Sequence, residues 1–294
     1  MRITGRIILV ILLIINVNSA FAQSKKAVKA FSTFDAGEYY DAIDQFKDAY
    51  QKTADKKEKL NMAFHIAECY RLTDNPQQAE LWYGKVIAKN FENPVAILRY
   101  AEALKMNEEY EEAKIQFQAY KEIVPDDPRG ADGVISCDLA VEWEEYPNGY
   151  VVEDMKFLNS KFSDYSPSYA RDDYQQLYFT SSREETTGQS EHGGTGQGFA
   201  DIFVSTMDRK GRWSTPVPLE EPVNTEAEEG TPALSSDYNT LYFTRCNVSK
   251  RKALGCEIYT ADRSGEKWIK VQSLALEPDS ITVAHPAISS DELT

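Results

Sequence analysis

The pattern of apolar and polar positions changes character once along the chain. From Gln23 to about Trp143 it is helical, in a stretch rich in Ala, Glu, Lys and Tyr. Pro147, Asn148 and Gly149 break it, and short alternating runs of Thr, Tyr, Phe and Val follow, the signature of strands. The reading is an α + β multidomain chain: a leader at 1–22, a helical domain at 23–146 and an all-β domain at 147–294. A length of 294 residues suits two domains.

Both halves repeat. In the helical half a small residue recurs at Ala42, Ala79 and Ala113, intervals of 37 and 34 residues. An aromatic follows four positions later at Phe46, Tyr83 and Phe117, and a third core position recurs at Ala49, Val86 and Tyr120. Each of these helices has a partner before it, carrying Ala30, then Ile66, Ala67 and Tyr70, then Tyr100, Ala101 and Leu104. Small residues let paired helices approach and the aromatic fills the groove between them. The wider first interval predicts a longer linker near Thr53–Lys57. Ala131–Trp143 reads as a capping helix after three units, with Pro125 closing the third.

The strand half repeats in its own way. Ser166-Pro167 opens a unit that returns at Thr231-Pro232 and begins again at His285-Pro286. A turn on Asp172 or Asp237 leads to a Leu-Tyr-Phe strand at Leu177 or Leu241. A strand at Asp201 or Glu257 follows, then a glycine turn and a strand holding Trp213 or Trp268. Four short strands per repeat is the blade of a propeller, and two blades with the start of a third are present.

The helical repeats resemble the tetratricopeptide family over about 120 residues. The resemblance implies that those repeated residues are core. It also implies a concave surface, made by the first helix of each unit, that holds a protein partner. Outward positions there are Asn61, Phe64, Glu68, Arg71, Val95, Leu98 and Glu102. Phe64 and Leu98 read either as binding contacts or as contacts with a neighbouring element. The strand half is similar to the TolB-like, WD40-like β-propellers of bacterial periplasmic proteins. Tyr165–Ser168, Leu177–Arg183, Phe199–Phe203, Trp213–Pro216, Pro222–Thr225 and Glu229–Pro232 carry that likeness. Together the halves resemble Bacteroidetes-type proteins of the OmpA family, among them a peptidoglycan-associated component of type IX secretion. Those proteins end in a peptidoglycan-binding domain that has no counterpart here. The reading is therefore of a longer protein with its propeller incomplete.

Composition narrows the function. Net charge is −15, which disfavours sequence-independent nucleic-acid binding and docking on anionic lipid. Arg2 and Arg6, the apolar run Ile7–Ile15 and Ala20-Phe21-Ala22 form a secretory signal peptide, so the protein is expected to be exported, with no span in its mature part; the resemblance implies the periplasm and association with the outer membrane. The four cysteines and three histidines match no zinc spacing. No G-x-S-x-G or H-E-x-x-H motif is present, and the Gly193–Gly198 loop lacks the Lys and helix a phosphate loop needs. The expectation is a non-catalytic scaffold without cofactor. The competing readings are a propeller accompanying an exported peptidase or carbohydrate-active enzyme, and a sugar- or peptide-binding module acting alone.

Export permits disulfides. Cys246 follows one strand and Cys256 precedes the next, so antiparallel pairing sets them opposite each other. Lys250, Arg251 and Lys252 repel one another in the loop between. A Cys246–Cys256 bridge and two free thiols are the alternatives. Cys69 and Cys137, on helices of different repeats, are expected to be buried and unpaired.

Overall fold

The structure, a computed structural model, describes residues 25–188, 190–249, 252–276 and 281–293. The leader at 1–22 and the hairpin residues Lys250 and Arg251 lie outside them. The chain divides between Gly149 and Tyr150 into two compact units.

The first unit holds seven α-helices among the described residues: α1 (Lys25–Asp35), α2 (Tyr39–Lys52), α3 (Lys56–Leu72), α4 (Pro76–Ile87), α5 (Val95–Met106), α6 (Tyr110–Ile123) and α7 (Pro128–Glu145). Each packs on the next through short connections, and α5 also meets α7. Local chemistry sets the starts. Asp55 accepts from Glu58 N at 2.7 Å, Asn75 from Gln78 N at 3.2 Å and Asp127 from Arg129 N at 3.0 Å, with Pro76 and Pro128 in the first turns. The repeated positions Ala42, Ala79 and Ala113, Phe46, Tyr83 and Phe117, and Ala49, Val86 and Tyr120 are all buried. They divide between a cluster around α1–α4 and another around α5–α7.

Two expectations are corrected here. The connection before α3 is only Thr53–Asp55, not a long linker. Asp55 caps early and draws Lys56 and Lys57 into the helix, so the extra residues lengthen α3 to 17 against 12 in α5. The last helix also extends beyond Ala131–Trp143, because Asp127 and Pro128 start it sooner. It lies tight on α6: a Cβ on Gly133 would stand 2.2 Å from the Phe117 ring.

The second unit is two four-stranded antiparallel meanders. The first runs β1 (Asp164–Tyr169), β2 (Gln176–Ser181), β3 (Asp201–Thr206), β4 (Val217–Pro218). The second runs β5 (Glu228–Leu234), β6 (Thr240–Ser249), β7 (Lys252–Ser264), β8 (Lys267–Ser273). Tyr178, Ile202, Phe243 and Trp268 share one buried cluster, and Trp268 Nε1 donates to Tyr178 Oη at 3.1 Å. Gly230 lets β5 lie against β2, since a Cβ there would be 2.8 Å from the Thr180 side chain.

The sequence repeat becomes a backbone repeat. The residue before proline has positive φ at Ser166 (51°), Thr231 (51°) and His285 (58°). In the two sheets this shifts the register by a bulge. Thr231 N then donates to Thr180 Oγ1 at 2.7 Å, and His285 N to Thr244 Oγ1 at 2.9 Å. The following turn has positive φ at Tyr174, Tyr238 and Glu292. Its carboxylate is Asp173 rather than Asp172 in the first unit; Asp237 and Asp291 match it, each accepting from the backbone N–H two residues on. Segment 281–293 repeats the turn without forming a strand.

The fourth strand differs between the sheets. Trp268 lies in β8, but Trp213 makes only an isolated bridge to Met207, and β4 forms later at Val217–Pro218. Proline lacks the N–H a ladder needs, so β4 is short. Asn224 completes the edge of β3 with its side chain. Its Oδ1 accepts from Ile202 N at 3.0 Å, and its Nδ2 donates to Ile202 O and Leu219 O, both at 2.9 Å.

Candidate partner-binding face

The first helices of the repeats, α3 and α5, carry all of the sequence-derived face residues, and the structure separates them into three groups. Leu98 is fully buried, at 0% exposure, among Leu104, Phe117 and Tyr120. It is core and not an outward position, because α6 and α7 cover that side of α5. Phe64 is half-buried, stacked on Phe91 at 5.2 Å and edge-on to Tyr83 at 6.1 Å, so it packs on its neighbours. Val95 is half-buried at the start of α5, its N–H accepted by Asn93 Oδ1. Asn61 borders a shallow recess beside Phe31 and Asp35 of α1.

Glu68, Arg71 and Glu102 form the polar part. Arg71 Nη2 reaches Glu68 Oε2 at 2.8 Å, and the buried Tyr83 hydroxyl donates to Glu68 Oε1. Burial, with the Glu68 carboxylate beside it, pushes the Tyr83 hydroxyl far above its usual range, so it stays a donor. The carboxylate thereby fixes Arg71. Arg99 holds Glu102 at 2.7 Å in the same fashion on α5. Arg71 and Glu102 then meet across a groove of about 610 Å³.

That groove has a far wall which sequence reasoning did not find. Arg129, Asp132 and Ser136 of α7 face Lys105 and Met106 of α5, with the Asp74–Pro76 turn closing one end. Lys105 Nζ donates to Ser136 Oγ at 2.8 Å across it. Asp127 anchors the wall by pairing with Arg129 at 2.6 Å and accepting from Tyr120 Oη at 2.7 Å. Those contacts hold its carboxyl well below the usual carboxylate range, the Arg129 guanidinium contributing most. Charges of both signs arranged around an apolar floor suit a peptide segment rather than a small apolar molecule. The signal for α7 was its polar residues at helical spacing, which read only as a solvated cap.

The strand unit carries structural chemistry. Cys246 and Cys256 are register partners joined by a disulfide of 2.04 Å. Both lie inside strands that run on past them, so the hairpin is tighter than a loop from 246 to 256. Cys69 and Cys137 are free and buried, and burial pushes the Cys69 thiol up to about 12. Asp164 and Glu229, two positions before the positive-φ residue in each repeat, pair with Arg183 at 2.6 Å and Arg245 at 2.7 Å. Each guanidinium lies over strand aromatics, Arg183 over Phe203 and Arg245 over Tyr259. The Gly193–Gly198 loop is a tight turn, closed by His192 N to Gln197 O at 2.8 Å. Among the described residues no group of His, Cys, Asp and Glu could hold a metal ion, and no helix is long and apolar enough to cross a membrane.

No family model and no curated protein matches the chain. Solved structures of tetratricopeptide domains are similar to its helical part. The TPR domain of P58(IPK) is 20% identical, with 42% of this chain and 34% of that one covered and a TM-score of 0.38. This chain thus spans about a third of that protein's length. The first TPR of Spaghetti (RPAP3), solved with an HSP90 peptide, is 22% identical over 41% of this chain and 97% of that one, with a TM-score of 0.36. The Sgt2 TPR domain from Aspergillus fumigatus is 14% identical over 48% and 95%, with a TM-score of 0.37.

Proposed function

We propose that this protein is a non-catalytic scaffold of the bacterial periplasm, belonging to an outer-membrane-associated complex of type IX secretion or envelope anchoring. Its helical unit acts as a tetratricopeptide domain and holds a partner segment in the groove between α3, α5 and α7. Its strand unit supplies blades of a TolB-like propeller. The observation that carries the interaction role is the groove itself. Three of its charged side chains, Arg71, Glu102 and Arg129, are each oriented by a second residue, which is how a recognition surface is pre-organised. The threefold recurrence of the positive-φ residue before proline and of the turn that follows it supports the blade reading. The leader supports export.

The test is photo-crosslinking in the native bacterium, with a photoreactive residue at Asp132 and another at the exposed Ile115 away from the groove. The expected result is a discrete envelope-protein adduct from Asp132 only, on a mature chain that begins at Gln23. A chain retaining Met1 in the cytosol, or identical adducts from both positions, would overturn it.

A further inference from the structure

A second pocket lies at the opposite end of α3 from the groove and shares no lining residue with it. It is about 640 Å³ and its rim is four lysines, Lys56 and Lys59 from α3, Lys85 from the last turn of α4 and Lys89 just beyond it, over a floor of Tyr50 and Leu60. No acidic residue lines it, in a chain whose net charge is −15. Lysines at the end of α4 complement that helix's own dipole, which accounts for Lys85 and Lys89 but not for the other two. Lys56 and Lys59 stand in the first turn of α3, where the dipole is already positive, so they add charge at a local cost. The carboxylates nearby in sequence are engaged elsewhere: Asp55 caps α3 and Glu58 accepts from Thr53 Oγ1 at 2.9 Å.

The lysine side chains are laid on aromatics. Lys59 Nζ is 4.7 Å from the centre of the Tyr50 ring, and Lys85 Nζ is 3.8 Å from that of Trp82. The two rings meet edge to face at 5.3 Å. Trp82 is buried, so the platform is part of the core and does not move freely. Two of the four ammonium groups are therefore positioned before any ligand arrives, which lowers the entropy lost on binding.

We propose that this pocket docks an acidic segment of a partner protein, its carboxylates held by Lys56, Lys59, Lys85 and Lys89 and an apolar residue seated on Tyr50 and Leu60. Charge complementarity selects the occupant. A bilayer or a nucleic acid is an extended polyanion and meets the negative charge of the whole chain. A short acidic segment meets the lysines alone, and the apolar floor gives its intervening side chains a place to bury. This site is separate from the groove between α3, α5 and α7 and does not depend on it.

The experiment uses the full mature chain and a fluorescein-labelled peptide alternating Glu and Leu, followed by anisotropy at low and high salt. A Gln and Leu peptide is the neutral counterpart. The expected result is binding of the Glu peptide only, weakened by salt. Lys59→Glu with Lys85→Glu lowers the affinity by about tenfold or more, the scale of losing charge-assisted contacts. Lys56→Gln with Lys89→Gln, at exposed positions that leave the fold intact, lowers it several-fold. Arg71→Ala, in the separate groove, leaves it unchanged. Equal binding of both peptides, affinity indifferent to the lysine variants, or loss of binding on Arg71→Ala would overturn the proposal. So would lysine-dependent binding of phosphatidylglycerol vesicles without binding of the peptide.

Discussion

Replacing Asn224 with Ala removes three hydrogen bonds from the edge of β3 at once. The amide is fully buried and stands where β4 is too short to pair. Without it the Ile202 N–H loses the acceptor 3.0 Å away, while Ile202 O keeps its other donor, Leu219 N at 2.9 Å. One orphaned buried donor costs about 1–3 kcal/mol and the lost bond to Leu219 O about 1 kcal/mol more, so about 2–4 kcal/mol in all. For a unit of this size that lowers the melting temperature by roughly 10 °C. Differential scanning calorimetry of the full chain reads this as a fall in the strand unit's transition, with the helical unit's transition in place. Urea unfolding gives the same loss without a change in slope. Asn239→Ala is the control, because that side chain is exposed and bonds only to Asp237 within its own turn. A loss at Asn224 no larger than at Asn239 would refute the reasoning, since the side chain could not then be serving as the missing strand.

Other substitutions probe other features. Gly133→Ala drives a Cβ into Phe117 and destabilises the helical unit by about 1–3 kcal/mol, although alanine favours helix by about 1 kcal/mol; circular dichroism melting measures it. Asp201 is buried with Thr187 N at 2.7 Å on one carboxylate oxygen, and burial raises its pKa. The folded state therefore binds the proton more tightly than the unfolded one, and stability falls as pH rises from the ordinary carboxylate range through the raised value. Asp201→Asn should be the more stable protein at pH 7, with its advantage shrinking toward acid pH in paired melting curves; an advantage unchanged by pH would contradict this. Cys246→Ser with Cys256→Ser frees a link of sequence separation 10 and lowers strand-unit stability by about 2–3 kcal/mol in the chain-entropy model. Dithiothreitol should reproduce that loss in the parent and leave the double variant unaffected.

What the sequence determined by itself was periodic and local. Ala42, Phe46 and Ala49 and their two sets of counterparts fall on one stripe because a helix turns every 3.6 residues, whatever packs against it. The turn at Asp237 is legible because a carboxylate bonds its own backbone two residues on, whereas in the first unit the sequence pointed to Asp172 and the structure uses Asp173. The cysteine hairpin needed only the order of two strands. The tertiary structure decided what depends on elements distant in the chain. Leu98 is core because α6 and α7 close over it, although its place on α5 looked outward. Phe64 packs on Phe91, and Glu68 orients Arg71 with the help of Tyr83 from the next helix. Asn224 reads as a loop residue until β4 is seen to stop after two residues. The groove draws its walls from α3, α5 and α7 and the lysine pocket from α2, α3 and α4, and no local period encodes which side chains will face each other across them. Burial and long-range juxtaposition are properties of packing, and packing is settled only when every helix and strand has found its neighbour.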